Sequence, residues 1–483
     1  MNYGQFLYMF PECALVLALI IVFAFDFAMT KSGELRGEKS NVALGRLTWF
    51  MLMSVGCAVL SAMRQEETIT AFGGMYVATQ AVNVMKMVLT FGTLIVVIMA
   101  DSWVESQQRI AGEFYMLILS TLLGMFVMMS SGNFLLFFLG LEMASVPLAC
   151  MVAFDRDRKE SAEGAAKYIL VATFSSGVML FGISFIYAAT GTLYFEDVAT
   201  AISASPLTIM GLVFFFSGLG FKISLVPFHF WTADTYQGAP TPVTGYLSVI
   251  SKGAAAITLC TILMKVFQPM IEYWDYMLYI VIVLSITVAN LFAIRQSELK
   301  RFMAFSSISQ AGYIMLAVVG NSQLGVAALT YYVLVYIVAN MAVFTVINVV
   351  EQNNGGRTDM AAYNGFYQTN PKLSFLMTLA LFSLAGIPPF AGMFSKFFVF
   401  MAGVQQGDPM AYFVVFIALV NTVVSLYYYL LIVKAMYITK TDTPLPTFKS
   451  DECTKIALAI CTAGICFFGV VSCIYEWIAA ASL

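Results

Sequence analysis

Five lysines lie inside long stretches of the chain that are otherwise apolar. They are Lys86, Lys167, Lys222, Lys252 and Lys396. If such a stretch crosses a membrane, an ammonium group near its centre costs about 2.5–3.5 kcal/mol on insertion scales. Ionisable residues at that depth face a cavity or a partner group, and they mark routes for ions or protons. The lysines are therefore the first candidates for a proton-transfer site.

One carboxylate has the same setting. Glu142 stands in GNFLLFFLGLEMASVPLAC, where no other charge occurs between Asn133 and Met151. Burial disfavours the charged form of a carboxyl or amino group, and an opposite charge close by favours it again. A buried carboxylate and a buried amine can therefore load and release protons. A purely structural ion pair is the alternative interpretation of Glu142.

The five lysines differ in their distance from the ends of their predicted helices. Lys86 lies near the outer end of its predicted helix and Lys167 near the inner end, where a long side chain can reach the interface. This snorkelling is the favoured interpretation of Lys86 and an alternative for Lys167. Lys252 lies ten residues into its segment, or about 15 Å at 1.5 Å per residue. Lys222 and Lys396 are also central, so these three are predicted to be buried.

Two of the lysines stand next to helix-breaking residues. Around Lys222, the stretch SGLGFKISLVPFHFW contains the predicted breaks Gly218, Gly220 and Pro227. Before Lys396, the stretch SLAGIPPFAGMFSKFFVF contains the predicted breaks Gly386, Pro388, Pro389 and Gly392. Proline removes a backbone donor and clashes with the preceding helical turn. Both segments are therefore predicted to be discontinuous helices.

The two breaks lie five segments apart and so point opposite ways through the membrane. Breaks in corresponding segments of two halves are typical of an inverted repeat with a site near the midplane. Irregular backbone at that depth must line a polar cavity or be buried in protein. Proline kinks that serve packing alone are the alternative.

Composition indicates the elements that must position these residues. The chain has 483 residues, of which 60% are hydrophobic and 11% charged, whereas soluble domains are about 45–50% apolar and about 25% charged. A spanning helix needs about 20 apolar residues. Fourteen segments qualify, which predicts an all-α integral membrane protein: 11–29, 42–62, 81–100, 113–131, 133–152, 162–189, 207–234, 242–265, 274–294, 301–319, 323–350, 371–403, 410–438 and 455–477.

Several other classes of site are not predicted. The chain contains one histidine, His229, and its eight cysteines form no CxxC or Cys/His cluster. No glycine-rich nucleotide motif follows a strand-like segment, so we expect no metal, redox cofactor or nucleotide bound by this chain. The net charge of −3 offers no basic surface for nucleic acid. No cleavable signal peptide is expected, because a basic n-region and a small-residue cleavage site are absent.

Charge in the connections predicts the orientation. Odd-numbered connections and the helix ends beside them hold 17 Lys and Arg residues, whereas the even-numbered ones hold only Arg64 and Lys265. Basic residues concentrate in cytoplasmic loops. The first connection is therefore predicted to face the cytoplasm, and both termini the opposite side.

The chain resembles the antiporter-like subunits of respiratory complex I (NADH:quinone oxidoreductase), which are related to Mrp antiporters and membrane-bound hydrogenases. The resemblance covers nearly the whole chain. It rests on GLEMASVP, EGAAKYILVATFSSG, FKISLVPFHFWTADTYQGAPTPV, SVISKGAAA, RFMAFSSISQAGYIM and LAGIPPFAGMFSKFFVF. It implies inverted repeats of segments 4–8 and 9–13, at 113–265 and 274–438. An N-terminal three-helix part (1–112) and a C-terminal loop with the last helix (439–483) flank them.

The resemblance also implies roles for the residues. Glu142 would pair with Lys222, and Lys252 would connect the two halves. Lys396 would stand at the outlet, where the M-type subunits of the family typically carry glutamate.

Two further residues complete the implied route, and a third position departs from the family pattern. Lys167 would modulate Lys222 from the neighbouring helix, and His229 would help to form the inner half-channel. Gln310, in SSISQAGY, stands where several relatives have histidine.

By resemblance, the chain would be a proton-translocating, non-redox subunit in a bacterial inner membrane. FMN, iron–sulfur clusters and quinone would belong to partner subunits, and M-type and K-type membrane subunits would be its neighbours. A subunit of an Mrp-type cation/proton antiporter or of a membrane-bound hydrogenase is the alternative. A stand-alone solute carrier and a structural membrane scaffold are the other classes that remain open.

Overall fold

The computed structural model describes residues 3–29, 38–65, 67–106, 111–405, 407–442, 444–471 and 473–482. Within these ranges, 13 helices are long and apolar enough to cross a membrane. Two shorter apolar helices, Pro371–Ala385 and Ala391–Val404, follow one another and together form the predicted twelfth segment. The prediction of an all-α, multi-pass membrane protein is confirmed. Of the basic residues that predicted the orientation, Lys31, Arg36 and Arg109 lie outside the described residues.

The helices follow the predicted segments closely. The N-terminal part contains α1 (Phe10–Met29), α2 (Glu38–Ala62) and α3 (Gln80–Ser106). The first set of five segments contains α4 (Ala111–Met129), α5 (Phe134–Val152), α6 (Lys159–Thr190), the short α7 (Phe195–Ala201), α8 (Pro206–Ile223), α9 (Phe230–Gly238), α10 (Thr241–Tyr246) and α11 (Lys252–Lys265). A π-helical stretch, Leu247–Ser251, joins α10 to α11.

The second set of five segments contains α12 (Ile271–Ala293), α13 (Leu299–Val319), α14 (Gln323–Asn353), the short α15 (Phe366–Thr369), α16 (Pro371–Ala385), α17 (Ala391–Val404) and α18 (Pro409–Tyr437). Two helices, α19 (Glu452–Val470) and α20 (Cys473–Ala481), follow. Short 3-10 helices occupy Tyr3–Met9, Gln268–Met270 and Met360–Tyr363. The predicted last segment, 455–477, is confirmed as the spanning helix α19, but its predicted end is wrong, because α19 ends where Val471 adopts extended backbone (φ −101°, ψ 103°).

The two sets of five segments pack in the same way. In the first, α4 packs on α5, and α6 packs on both α8 and α9. In the second, α12 packs on α13, and α14 packs on both α16 and α17. In each set, therefore, the third segment supports both halves of the broken fourth one. Because each set has an odd number of crossings, the second begins on the opposite side of the membrane, as an inverted repeat requires.

Contacts between connections support the alternation of the chain across the membrane. Arg158, in the fifth connection, contacts Glu351 at the end of α14 through an Nη1–Oε1 distance of 2.8 Å. Lys300, in the first turn of α13 next to the ninth connection, contacts the same carboxylate. On the other side, Tyr76 pairs with Ser131 through backbone bridges, which join the second and fourth connections. The fifth, ninth and eleventh connections therefore meet one another, and the second and fourth meet one another, as alternate crossings require.

A small hairpin was not predicted from the sequence. Strand β1 (Ile69–Ala71) pairs antiparallel with β2 (Tyr76–Ala78), and Ile69 stands opposite Ala78. The turn contains Gly73 and Gly74 with positive φ (66° and 87°), a conformation that glycine adopts at little cost. The hairpin carries Tyr76, which is buried.

Lys86 does not snorkel, so that part of the prediction is wrong. Its side chain is 0% exposed, and its Nζ lies 2.6 Å from Oε1 of Glu12, which is 3% exposed. Tyr76 donates a hydrogen bond to Oε2 of the same carboxylate (3.1 Å), and Lys86 lies over the Phe126 ring at 5.6 Å. The amine is held inside the protein because an ion pair and two aromatic rings replace the water it loses.

Substitutions that break the Glu12–Lys86 ion pair should lower the stability of the protein without acting on proton transfer directly. Removing one partner of a buried ion pair costs about 3–5 kcal/mol, because the other charge remains unpaired. We expect Lys86→Met to lower the free energy of unfolding by about that much, and Glu12→Leu/Lys86→Met to regain most of it. Denaturant unfolding of the detergent-solubilised chain measures both, with Tyr76→Phe as a milder control. A double variant as unstable as Lys86→Met would show that the pair is not the cause.

Candidate functional site

Lys222 lies where three helices of the first set converge. It occupies the last turn of α8, and its side chain is almost completely buried. Its Nζ donates hydrogen bonds to Ser145 Oγ on α5 (2.7 Å) and to the Tyr168 hydroxyl on α6 (3.3 Å). A helix C-terminus carries partial negative charge, which favours a cation in its last turn. The site therefore accommodates an ammonium group with hydroxyl partners rather than a directly bound carboxylate.

Glu142 lies one helical turn before Ser145 on α5. Its Oε1 accepts a hydrogen bond of 2.5 Å from Ser176 on α6, and it lies within electrostatic range of Lys222. Residues three apart are neighbours on one helix face, so Glu142 and the Lys222 partner Ser145 share a face of α5, although the Ser145 hydroxyl donates to the Leu141 carbonyl. The structure shows no direct ion pair between Glu142 and Lys222, and the predicted pairing stays a prediction.

The break between α8 and α9 is tied to the second set of helices. Ser224 ends α8 with a left-handed backbone (φ 66°), and the segment around Pro227 is not helical. The amide N–H of Val226 donates to Ser285 Oγ on α12 (2.9 Å), and Trp231 Nε1 donates to the Phe221 carbonyl (3.1 Å). Protein groups therefore satisfy backbone that would otherwise be exposed at membrane depth.

Some residues predicted to be breaks have another role. Helix α8 runs through Gly218 and Gly220 without interruption, and a Cβ on Gly218 would lie 2.6 Å from Met179 Cβ on α6. Gly392 is the second residue of α17, where a Cβ would collide with the Ser383 carbonyl oxygen. Gly218 and Gly392 permit a close approach of other backbone or side chains, and Gly220 leaves room for the Phe228 ring, so the prediction of these three glycines as breaks is wrong. The observed breaks contain Pro227 in one segment and Gly386, Pro388 and Pro389 in the other.

His229 lies in the break itself. Its side chain is 8% exposed, its ring stacks on Phe230 with a centroid distance of 4.6 Å, and Nδ1 has no hydrogen-bond partner among the described residues. It is within electrostatic range of Lys252. A buried imidazole nitrogen without a partner is suited to accept or pass a proton.

Lys167 lies away from Lys222. Its side chain is 43% exposed, and its Nζ lies 2.6 Å from carboxylate oxygens of both Glu163 and Asp234. Asp234 also binds the Arg301 guanidinium at 2.5 Å. Tyr168, rather than Lys167, contacts Lys222, because consecutive residues of a helix point about 100° apart. The expected influence of Lys167 on Lys222 stays a prediction.

Lys252 connects the two sets of helices. It begins α11 directly after the π-helical stretch, and its Nζ donates to Ser307 Oγ on α13 (2.6 Å). Ser307 Oγ lies 3.2 Å from the Tyr236 hydroxyl on α9, and the ammonium lies over the Tyr236 ring at 5.4 Å. Single-turn π segments occur frequently at functional sites. This lysine is therefore buried between the first set and the second.

Gln310 continues the polar groups along α13. Its Nε2 donates to the Tyr429 hydroxyl (3.2 Å) and to the Leu384 carbonyl (3.3 Å), and its Oε1 accepts from the Tyr332 hydroxyl. Tyr429 also shares a hydrogen bond with Ser306, which precedes Ser307. The amide cannot change its charge, but it orients two tyrosine hydroxyls between Lys252 and the second break.

Lys396 lies at the second break. Its side chain is buried, and its Nζ donates to the Ala385 carbonyl at the end of α16 (3.0 Å). It lies 5.0 Å from the centre of the Tyr313 ring. A Cβ on Gly386 would lie 3.1 Å from its Cδ. Lys222 thus belongs to the last turn of the half-helix α8, and the Lys396 ammonium, carried by α17, lies at the C-terminal end of the half-helix α16.

The clusters form a row of separate hydrogen-bonded groups, and an aromatic ring lies between the first two lysines. Hydrogen bonds link Lys252, Ser307 and Tyr236, and a second group surrounds Gln310. Between Lys222 and Lys252, the Trp231 ring lies 5.0 Å from Tyr168 and 6.4 Å from Tyr236. The row can hold protons at separate amines, and transfer across the Trp231 gap would need water or movement.

Sequence reasoning missed the neutral partners of the lysines and the charged residues Asp234 and Arg301, which contact one another beside Lys167. The serine and tyrosine partners could not be recognised in the sequence, since both residue types are common in helices. Asp234, in HFWTADTYQGAP, was visible as a charge near a broken helix. In the described part of the chain, no group of three or more His, Cys, Asp or Glu side chains is arranged to hold a metal ion.

The family model for the NADH:quinone oxidoreductase/Mrp antiporter transmembrane region matches residues 131–425. The NADH-quinone oxidoreductase subunit N of Phocaeicola vulgatus is 54% identical over 99% of this chain and 98% of its own length. A chain of respiratory complex I from Thermus thermophilus superposes with a TM-score of 0.79, at 29% identity over 95% of this chain and 97% of its own. A chain of the Mrp complex from Dietzia shares the fold, with a TM-score of 0.86 at 19% identity over 100% of this chain and 97% of its own. The chain therefore belongs to the NADH:quinone oxidoreductase/Mrp antiporter membrane family, and within it to the subunit N group of NADH-quinone oxidoreductases.

Proposed function

We propose that this chain translocates protons as a non-redox membrane subunit of an NADH:quinone oxidoreductase. Quinone reduction in partner subunits would supply the energy. The observation that carries the proposal is the row of buried lysines, Lys222, Lys252 and Lys396, whose ammonium groups contact hydroxyl and carbonyl oxygens. Amines held this way can lose a proton without leaving a buried carboxylate unpaired.

The proposed sequence begins at Lys222. A charged Glu142 favours the ammonium form of Lys222, and weakening of that interaction releases the proton. Repulsion between ammonium groups then favours transfer to Lys252 and from there, past Gln310, to Lys396. His229 and the Lys167–Asp234 pair lie on the proposed inner side, and Lys396 supplies the outlet.

The surroundings of the chain follow from this function. FMN, iron–sulfur clusters and quinone would be held by partner subunits, and M-type and K-type membrane subunits would be its neighbours. We place it in the bacterial inner membrane, with both termini on the non-cytoplasmic side. An Mrp-type role shares the fold, and co-purification with iron–sulfur subunits distinguishes the two.

The test is Glu142→Gln in the assembled complex. The amide preserves shape and can still accept from Ser176, but it cannot favour the ammonium form of Lys222. We expect proton translocation to fall about tenfold or more, with assembly unchanged. The measurement is quinone-dependent acidification in vesicles matched for complex content, with the exposed Glu113→Gln as the control. Wild-type translocation by Glu142→Gln would assign the carboxylate a structural role.

A further inference from the structure

A groove of about 830 Å³ opens between α16 and α19 on the face that carries the odd-numbered connections. One wall is formed by Leu373 and Leu376 of α16, and the other by Leu458, Ala459 and Ala463 of α19. These apolar side chains run from the connections towards the membrane interior. We call this site the α16–α19 groove.

The mouth of the groove is basic. Lys372, Lys449 and Lys455 line it, and none of the described residues that line it carries a carboxylate. Lys372 stands at the start of α16 and Lys455 in the first turn of α19, so two helix N-termini add partial positive charge. Lys455 also contacts Glu452 at 2.7 Å, but that carboxylate is 84% exposed. Exposed pairs of this kind are weak, so the lysine can exchange this partner for another anion.

A buried side chain fixes the shape of the mouth. Asn370 is 4% exposed; its Nδ2 donates to the Pro446 carbonyl and its Oδ1 accepts from the Phe448 amide, both at 2.9 Å. Thr447 Oγ1 donates to the Thr369 carbonyl (3.2 Å). The loop that carries Lys449 is therefore attached to the start of α16, and the three lysines sit on a preformed frame.

We propose that the α16–α19 groove binds one anionic phospholipid. Its phosphate would lie among the three lysines, and an acyl chain would cover the leucine and alanine walls. Basic pockets between membrane helices on the cytoplasmic side suit such headgroups, and this face is the one predicted to be cytoplasmic. A neutral solute would leave the lysines without a counter-charge, and a water-soluble anion would leave the apolar walls uncovered. The site is separate from the proton route, so either proposal can fail alone.

The first test measures lipid affinity of the intact complex in detergent. Fluorescent phosphatidylglycerol is titrated against the wild type and against Lys372→Gln/Lys449→Gln/Lys455→Gln. Because each lysine near a lipid surface contributes about a fourfold to sixfold gain in affinity, the triple variant should bind about 100-fold more weakly. Lys159→Gln/Lys434→Gln/Lys440→Gln removes the same charge from exposed lysines outside the groove and should bind like the wild type. Equal affinity of the two triple variants would overturn the proposal.

The second test identifies the occupant in the cell membrane. A photoactivatable residue replaces Ala459, which is exposed on the groove wall. Irradiation should attach a phospholipid to α19, and the three glutamine substitutions should reduce that product about tenfold or more. Crosslinking to another protein subunit, or to phosphatidylcholine as readily as to phosphatidylglycerol, would overturn the proposal.

Discussion

Replacing Lys252 with methionine should abolish nearly all proton translocation while leaving the complex assembled. The ammonium is the group of this cluster that we propose carries the proton, because its hydrogen-bond partner is the Ser307 hydroxyl, which in turn bonds Tyr236. A positioned proton-transfer side chain contributes about 10²–10⁴-fold to rate, so we expect a loss of about 100-fold. Methionine has a similar length, and it removes the cost of burying a charge. Quinone-dependent turnover and membrane potential are measured together in vesicles with equal complex content.

The same helix supplies the control for this variant. Lys265 is the last residue of α11 and is exposed at the opposite end from Lys252. Lys265→Met removes an equal charge from the same helix but lies outside the row of buried lysines. It should translocate protons like the wild type. Equal losses in the two variants would indicate a general effect of charge or packing, contrary to the role assigned to Lys252.

Lys396→Ala should lose most coupled activity, whereas Lys396→Glu should retain part of it. Alanine removes the proton-holding group and leaves the Ala385 carbonyl at the break without its donor. Glutamate can hold a proton in a neutral carboxyl group, which can donate to the same carbonyl. Its loaded state is neutral, however, so it repels a neighbouring ammonium less than lysine does. We expect a loss of about 100-fold for alanine and about tenfold for glutamate.

Two further variants separate proton holding from packing at this position. Lys396→Met fills the space but cannot hold a proton, so it should behave like Lys396→Ala. Phe397→Ala changes the next residue of α17, which is 50% exposed, and it should stay near the wild type. Alanine or methionine variants that translocate protons normally would remove Lys396 from the proposed route.

Much of the fold was accessible from local sequence. The helices were predicted from the length of apolar runs, and the two breaks from Pro227 and Pro388–Pro389, because proline acts on its own backbone. The burial of Lys222, Lys252 and Lys396 was predictable because each lies far from the ends of its predicted membrane-spanning segment. Glycine was ambiguous, since it both ends helices and permits close packing. Gly386 ends helix α16, with φ 88°, whereas Gly218 permits close packing inside helix α8.

Partners that depend on tertiary contacts could not be predicted. Lys86 was assigned to the interface because its distance from the helix end was visible, whereas Glu12, 74 residues away, was not identifiable as its partner. Ser145, Tyr168 and Ser307 are ordinary helix residues that become lysine partners only when helices from distant parts of the chain converge. The π-helical stretch before Lys252 likewise has no recognisable pattern in LSVIS.

The number of protons translocated per quinone reduced tests the central claim most directly. It should be measured in vesicles that contain the wild-type complex or the Lys252→Met complex, at equal complex content and with the leak determined separately. If the buried lysines of this chain carry protons, any residual turnover of the variant should translocate fewer protons per quinone than the wild type. An unchanged ratio, with turnover at the wild-type rate, would contradict the account and leave the lysine row a structural feature.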